Sequence, residues 1–364
     1  MSDKSDIARS VISPPGDTIK ETLEYTGMNQ AELAERMGRP KEKINDIIHG
    51  REPITTKTAF QLERVLGIPA SFWINRENSY RKELYELQQE EEFEKKSKWL
   101  SLFPVREMKK LGWLPDTKEK HKLVDSLLKF FGIASPAEWE KIYIDNRVSV
   151  AFRTSLAFTS SPQAVSVWLR KGELQANEVH LQDYNKKGFK SALTQIKELA
   201  YLMPDDFSVR LQSICAKNGV AVVFTPQLPK APISGATRWY HGKPLIQLSG
   251  RYKTNDHFWF TFFHEAAHIL YHGKKEIFLE SQDDTNPDPK KEEEADRFAA
   301  NFLLSENEFK QITEQSELSE NTIIEFAHKF RTPAGVIVGR LQRQGYIQYS
   351  QWNNLRQKIE LFQK

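Results

Sequence analysis

Only one of the 364 residues is a cysteine, Cys215, and a single thiol excludes both an internal disulfide and a metal centre built from several thiolates. Net charge is equally scarce. Against 49 acidic residues stand 52 Lys and Arg, leaving +3, so any nucleic-acid signal has to be local rather than global. No apolar run reaches the roughly 18 residues of a membrane span, and the opening MSDKSDIARS has no apolar signal-peptide core. These absences lead to the expectation of a cytoplasmic protein with no membrane partner. What is present, 39% hydrophobic and 28% charged residues, suits a globular chain of two or three domains.

The most informative stretch is His257 to His272, HFWFTFFHEAAHILYH, which contains His264-Glu265-Ala266-Ala267-His268. Residues four apart share a helix face, so both imidazoles can reach one metal ion. Glu265 then stands beside that ion, where a general base for a water is needed. Phe258, Trp259, Phe260, Phe262 and Phe263 before the motif, with Ile269, Leu270 and Tyr271 after it, predict a buried helix. Two surface histidines on an ordinary helix would not sit among such neighbours.

A catalytic zinc usually has three protein ligands and a water, so one ligand is missing. His272 lies a further turn along and is expected beside the site rather than on the ion. Ser281 to Lys291 reads as a mobile polar loop, followed by a helix beginning Glu292-Glu293-Glu294-Ala295-Asp296. Glu292 and Asp296 share a face, so Glu292 can reach the metal while Asp296 hydrogen-bonds a liganding histidine; Glu294 is the next candidate. The bland alternative is an acidic helix start, which the helix dipole favours anyway. Two imidazoles and a carboxylate suit Zn2+, with Mn2+ as the alternative. Arg238, Tyr240, His241 and His272 are the nearby candidates for stabilising an oxyanion.

Upstream of the motif, Gly219 to Thr225 and Lys243 to Leu248 read as strands, the segment between them as a Pro- and Gly-rich loop, and Asp205 to Lys217 as a helix with Cys215 in the core. The strand at 243–248 is a candidate for pairing with an extended peptide.

The first 80 residues carry five short helical patterns. Pro14-Pro15-Gly16 reads as a break, with Asp17 or Thr18 capping a helix that turns Ile19, Leu23 and Tyr25 inward. Asn29 can cap the next helix, and Gly38 supplies the tight turn before a third helix, Pro40 to His49. The outward residues Arg39, Lys41, Glu42, Lys43, Asn45, His49 and Arg51 are suited to phosphates and base edges. Glu42 and Asp46 dilute the positive charge, so affinity for DNA is expected to be modest and salt-sensitive, and a homodimer would help.

Residues 81 to 98 read as a solvated charged helix. Helical patterns continue at 117–132, 136–144 and 161–171, with an extended stretch near Val148 to Arg153. Trp139 and Trp168 are expected in the core. At the far end, Thr322 to Leu341 reads as two helices around Thr332-Pro333, packing against the preceding domain rather than reading DNA.

Two resemblances add to this reading. Ser13-Pro14-Pro15-Gly16-Asp17, Gln30-Ala31-Glu32-Leu33-Ala34, Ile44-Asn45-Asp46-Ile47-Ile48-His49-Gly50 and Arg51-Glu52-Pro53-Ile54-Thr55 resemble the XRE-type helix-turn-helix family, in particular its HigA-type antitoxin branch. That likeness covers about residues 12 to 80 and implies binding to a double-stranded operator. Residues 260–272 together with 292–300 are similar to the ImmA/IrrE-type metallopeptidases, over roughly residues 205 to 310, with Ala266-Ala267 replacing the commoner residue-plus-glycine. This second likeness implies a zinc-class ion on His264, His268 and a later glutamate, Glu265 as base, and cleavage of transcriptional repressors.

The expected fold is mainly α with a small β-sheet: a helix-turn-helix domain (1–80), a helical connector (81–200) and a zincin-like α+β domain with C-terminal helices (201–364). The expected function is a DNA-binding regulator with a zinc-dependent endopeptidase domain and a regulatory protein as substrate. The alternative is an operator-binding antitoxin, partnered by a cognate toxin, whose metal domain is a sensor or structural element.

Overall fold

The structure, a computed structural model, describes residues 12–145, 161–251, 253–273, 278–281 and 289–362. It is mainly helical with one four-stranded sheet, and it divides into two compact units: residues up to Leu100 with Thr117–Asp125, and Ser101–Asp116 with Ser126–Lys364. No helix among the described residues is long and apolar enough to cross a membrane. The segment near Val148 to Arg153 and positions 282–288 of the expected loop lie outside the described residues.

The first unit opens with α1 (Pro15–Thr26), α2 (Gln30–Met37), α3 (Lys41–Ile48), α4 (Thr56–Leu66) and α5 (Ala70–Lys95). Pro14-Pro15-Gly16 starts α1 instead of breaking it. Pro15 sits in the first turn, where its missing N–H costs nothing. Gly16 lets α1 close onto α3, since a Cβ there would stand 1.8 Å from the Ile48 carbonyl oxygen. Asp17 accordingly lies inside the first turn, accepting from the Ser13 hydroxyl rather than capping. Tyr25, expected inward, is 92% exposed because it falls at the end of α1, beyond the stripe of Ile19 and Leu23.

The helix-turn-helix itself follows the sequence closely. Asn29 Oδ1 accepts from the N–H groups of Ala31 and Glu32, and Gly38 takes φ +61° at the turn. Leu33, Ala34, Ile44, Ile47, Ile48, Leu62 and Trp73 close one core. The charged run after residue 81 is the distal part of α5, which begins earlier, at Ala70. A short α6 (Ser97–Leu100) follows.

The chain continues through α7 (Val105–Lys110), α8 (Lys120–Phe131), α9 (Pro136–Glu140), a π-turn (Lys141–Asp145), α10 (Pro162–Ala176), α11 (Lys186–Leu202) and α12 (Phe207–Ala216). Trp139 is buried against Phe103 and Phe131, and Trp168 is buried with its indole N–H donated to the Thr225 carbonyl.

The sheet is made of β1 (Ala221–Phe224), β2 (Ile233–Tyr240), β3 (Lys243–Leu248) and β4 (Phe278–Ser281), in the order β1-β3-β2-β4. β2 occupies the segment expected as loop. Its small residues Ser234, Gly235 and Ala236 carry little strand signal, but antiparallel partners on both sides supply its backbone hydrogen bonds. β3 pairs with β1 on one side and β2 on the other. It has no open edge, so the expected peptide-pairing role of 243–248 is excluded.

Alternation along β2 and β3 gives the sheet two faces. Ile246 and Leu248 join the core formed with α13 (Asn255–Tyr271), while Arg238 and Gln247 donate to Leu169 and Trp168 carbonyls of α10. α13 is packed by α14 (Pro289–Leu303) and by α17 (Ala334–Arg343), the last of α15 (Glu306–Thr313), α16 (Glu320–Phe330) and α17. Gly335, Ile337, Val338, Leu341 and Gln342 of α17 are buried, so the C-terminal helix pair serves packing, as its apolar faces predict.

Candidate metal centre

α13 is apolar on nearly every side, the pattern of a helix enclosed by protein. Phe258, Trp259, Phe262, Phe263, Ile269 and Leu270 fill the core around it. Within it His264, Glu265 and His268 are all buried, at 3%, 0% and 1% exposure. Burying three polar side chains costs stability unless each has a defined partner. Thr237 of β2 donates its hydroxyl to the Glu265 carbonyl at 3.0 Å, tying the helix to the sheet at this turn.

The two Nε2 atoms of His264 and His268 are 3.0 Å apart. Glu292, in the first turn of α14, reaches them with Oε2 at 2.9 Å from His264 Nε2 and Oε1 at 3.6 Å from His268 Nε2. One ligand atom from each of the three lies within 4.8 Å of the others. Two nitrogens about 2.05 Å from a tetrahedral zinc stand about 3.3 Å apart, so the donor set fits such an ion in size and chemistry.

Hydrogen bonding from behind points the lone pairs at the same place. Asp296, one turn after Glu292, lies 2.9 Å from His264 Nδ1. A proton on Nδ1 donated to that carboxylate leaves Nε2 as a bare acceptor. His268 is served by a chain that runs from α13 to α14: His268 Nδ1 is 2.7 Å from His272 Nδ1, and His272 Nε2 is 3.3 Å from Glu294 Oε2. If His272 donates to Glu294, its Nδ1 accepts from His268, and the second Nε2 is bare as well. Three acceptors converging without a proton between them are what a cation stabilises. Phe278 of β4 stacks on the His268 ring, 3.9 Å between centroids.

Burial pushes His268 down to about 4, keeping it neutral and available as a ligand near pH 7.

The remaining expectations are placed as follows. Glu294, the second candidate ligand, turns to His272, and Glu293 to Arg297. Among the oxyanion candidates, Arg238 is buried on the α10 face of the sheet, paired with Glu173 and the Leu169 carbonyl. The Tyr240 hydroxyl contacts Asn177, and His241 occupies the β2–β3 turn with φ +49°. Only His272 of the four adjoins the centre. Its position four residues after His268 was the available signal, since i and i+4 share a face.

In the other unit, Lys41, Glu42, Lys43, His49 and Arg51 are exposed along α3 and its end, with Asn45 half-buried. Several are already paired: Lys43 with Glu52, Arg51 with Asp46, and His49 Nδ1 with the Asn45 carbonyl. The Glu52 carboxylate raises the Lys43 ammonium above its ordinary value. Arg39 is half-buried at the start of this face. Its guanidinium donates to Gln61 and Thr58 of α4 and braces α2 against α4.

These features define a class: a helix-turn-helix DNA-binding domain joined to an α+β domain with a histidine–histidine–glutamate cluster. Residues 19–73 match the helix-turn-helix family, and residues 215–342 match a peptidase family described as the IrrE N-terminal-like domain. The chain thus carries an XRE-type helix-turn-helix and an IrrE-type peptidase-family domain. Among solved structures, an addiction module antidote protein of a HigA family from Coxiella burnetii is similar at 27% identity, over 22% of this chain and 89% of that one, with a TM-score of 0.21. No curated protein matches.

Proposed function

We propose that this chain is an operator-binding regulator whose second domain is a zinc-dependent endopeptidase acting on a regulatory protein such as a repressor. The observation that carries the reading is the buried convergence of His264, His268 and Glu292 beside Glu265. Zinc held by those three residues would supply Lewis acidity and a water ionising near neutral pH. Asp296 and His272 keep the two imidazoles in the liganding orientation. Glu265 takes a proton on its carboxylate from the attacking water and returns it to the leaving amine. A purely structural metal site needs no such base, which favours turnover over the sensor reading. With β3 closed on both sides, the strand for an extended peptide becomes β4, an edge strand whose Phe278 covers His268.

The test is incubation of the zinc-loaded full chain with candidate repressors, followed by mass spectrometry of the products. Cleavage at one bond in one repressor, lost on chelation and restored by zinc, is the expected result. If every repressor stays intact while a small toxin co-purifies with the chain, the antitoxin reading replaces this one.

A further inference from the structure

A glycine in mid-strand usually weakens a sheet, and where one persists it often marks a bulge or a close approach. Gly235 of β2 does both. The β2–β4 register shifts between Ile233 and Gly235, and a Cβ at 235 would lie 2.5 Å from Glu265 Oε1, 2.7 Å from Thr261 Cγ2 and 3.0 Å from Glu265 Cγ. We infer that Gly235 is a positioning residue: its missing side chain is the space in which the Glu265 carboxylate stands, and it sets where that carboxylate is held relative to His264 and His268. This rests on the proposed role of Glu265 as the base.

The atoms in the way distinguish this glycine from others in the chain. At Gly16 a Cβ would meet the backbone of Ile48, and at Gly219 the backbone of Asp183 and Tyr184. Backbone cannot step aside, so those glycines are needed for folding. At Gly235 the nearest atom is the end of the Glu265 side chain, which can rotate away. Thr261 Cγ2 and Glu265 Cγ, the other close atoms, also belong to side chains, so alanine there displaces the Glu265 carboxylate and the Thr261 methyl before it displaces backbone. Its φ is not in the left-handed region, so backbone conformation gives no separate reason for glycine. A displacement on the order of 1 Å of a group in the reaction can cost about a hundredfold in rate.

The experiment is Gly235→Ala in the full chain, read by melting temperature, zinc per chain, a crystal structure, and kcat and KM on a protein substrate. The expected result is an unchanged zinc stoichiometry, a melting temperature within a few degrees of wild type, a Glu265 carboxylate displaced by about 1 Å or more, and kcat down about a hundredfold with KM little altered. An unmoved carboxylate overturns the inference, as does loss of zinc and fold together, which would make Gly235 structural. If wild type cleaves nothing, the peptidase reading fails on that result alone. The crystal structure of the variant still decides whether Gly235 places Glu265.

Discussion

The two helices on which the proposed function rests, α13 and α3, handle polar side chains in opposite ways. On α13 the histidine side chains are buried and depend on Asp296 and Glu292 of α14 and on His272 at the helix's own end. On α3 they are mostly solvated and depend on near neighbours in sequence, Lys43 on Glu52 and Arg51 on Asp46. Burial raises the stakes of each hydrogen bond, whereas exposed ion pairs are cheap to make and to break. The proposed metal centre would have to hold its geometry and the proposed DNA face to exchange its own pairs for phosphates, and the same physical chemistry suits each to its task.

The sharpest way to break this contrast is to remove one buried group. Glu265→Gln keeps nearly the same shape and is expected to lower turnover by about a thousandfold or more while leaving zinc bound, as measured by kinetics and metal analysis on the same preparation. Asp296→Asn and His272→Ala remove support one step further out, and each is expected to weaken zinc binding about 10- to 100-fold in a chelator competition titration. If both leave affinity unchanged, the partners of the buried histidines are ornamental and the contrast collapses.

In the first unit the large effect comes from packing instead. Gly16→Ala forces a Cβ into the Ile48 backbone, so the helix-turn-helix unit is expected to lose on the order of 3 kcal/mol or more in denaturant unfolding, without effect on zinc content. Asn29→Ala, which deletes the α2 cap, is expected to cost about 1 kcal/mol. The smallest change falls on the exposed face. Lys43→Ala is expected to weaken DNA binding roughly uniformly across sequences and to reduce the salt slope by about one, whereas Glu52→Gln, which frees Lys43, should tighten it a few-fold.

Much of this was legible in the residues themselves. The buried helix and its cluster declared themselves because two histidines and a glutamate at helical spacing are out of place among phenylalanines. The pairing of Glu292 with Asp296 followed from i and i+4 geometry. Asn29 and Gly38 fixed the DNA-reading turn through local backbone chemistry. The failures came where tertiary partners decide. β2 looked like a loop because Ser234-Gly235-Ala236 has no strand propensity of its own, and its strand exists through β3 and β4. For the same reason β3 reads as an available strand, since nothing within 243–248 reports that both its edges are used. Pro14-Pro15-Gly16 resembles a break until the approach of α3 gives Gly16 a purpose. Nothing near Arg39 in the sequence reports its hydrogen bonds to Gln61 and Thr58, some twenty residues away.

The central claim is that His264, His268 and Glu292 form one metal site, and metal analysis tests it most directly. The full chain, reconstituted with zinc and dialysed, is compared with Glu292→Gln and His268→Ala by elemental mass spectrometry. The account predicts one zinc per wild-type chain and a loss of about a hundredfold or more in affinity in each variant. A wild-type chain that retains no zinc, or variants that retain a full equivalent at wild-type affinity, would contradict it.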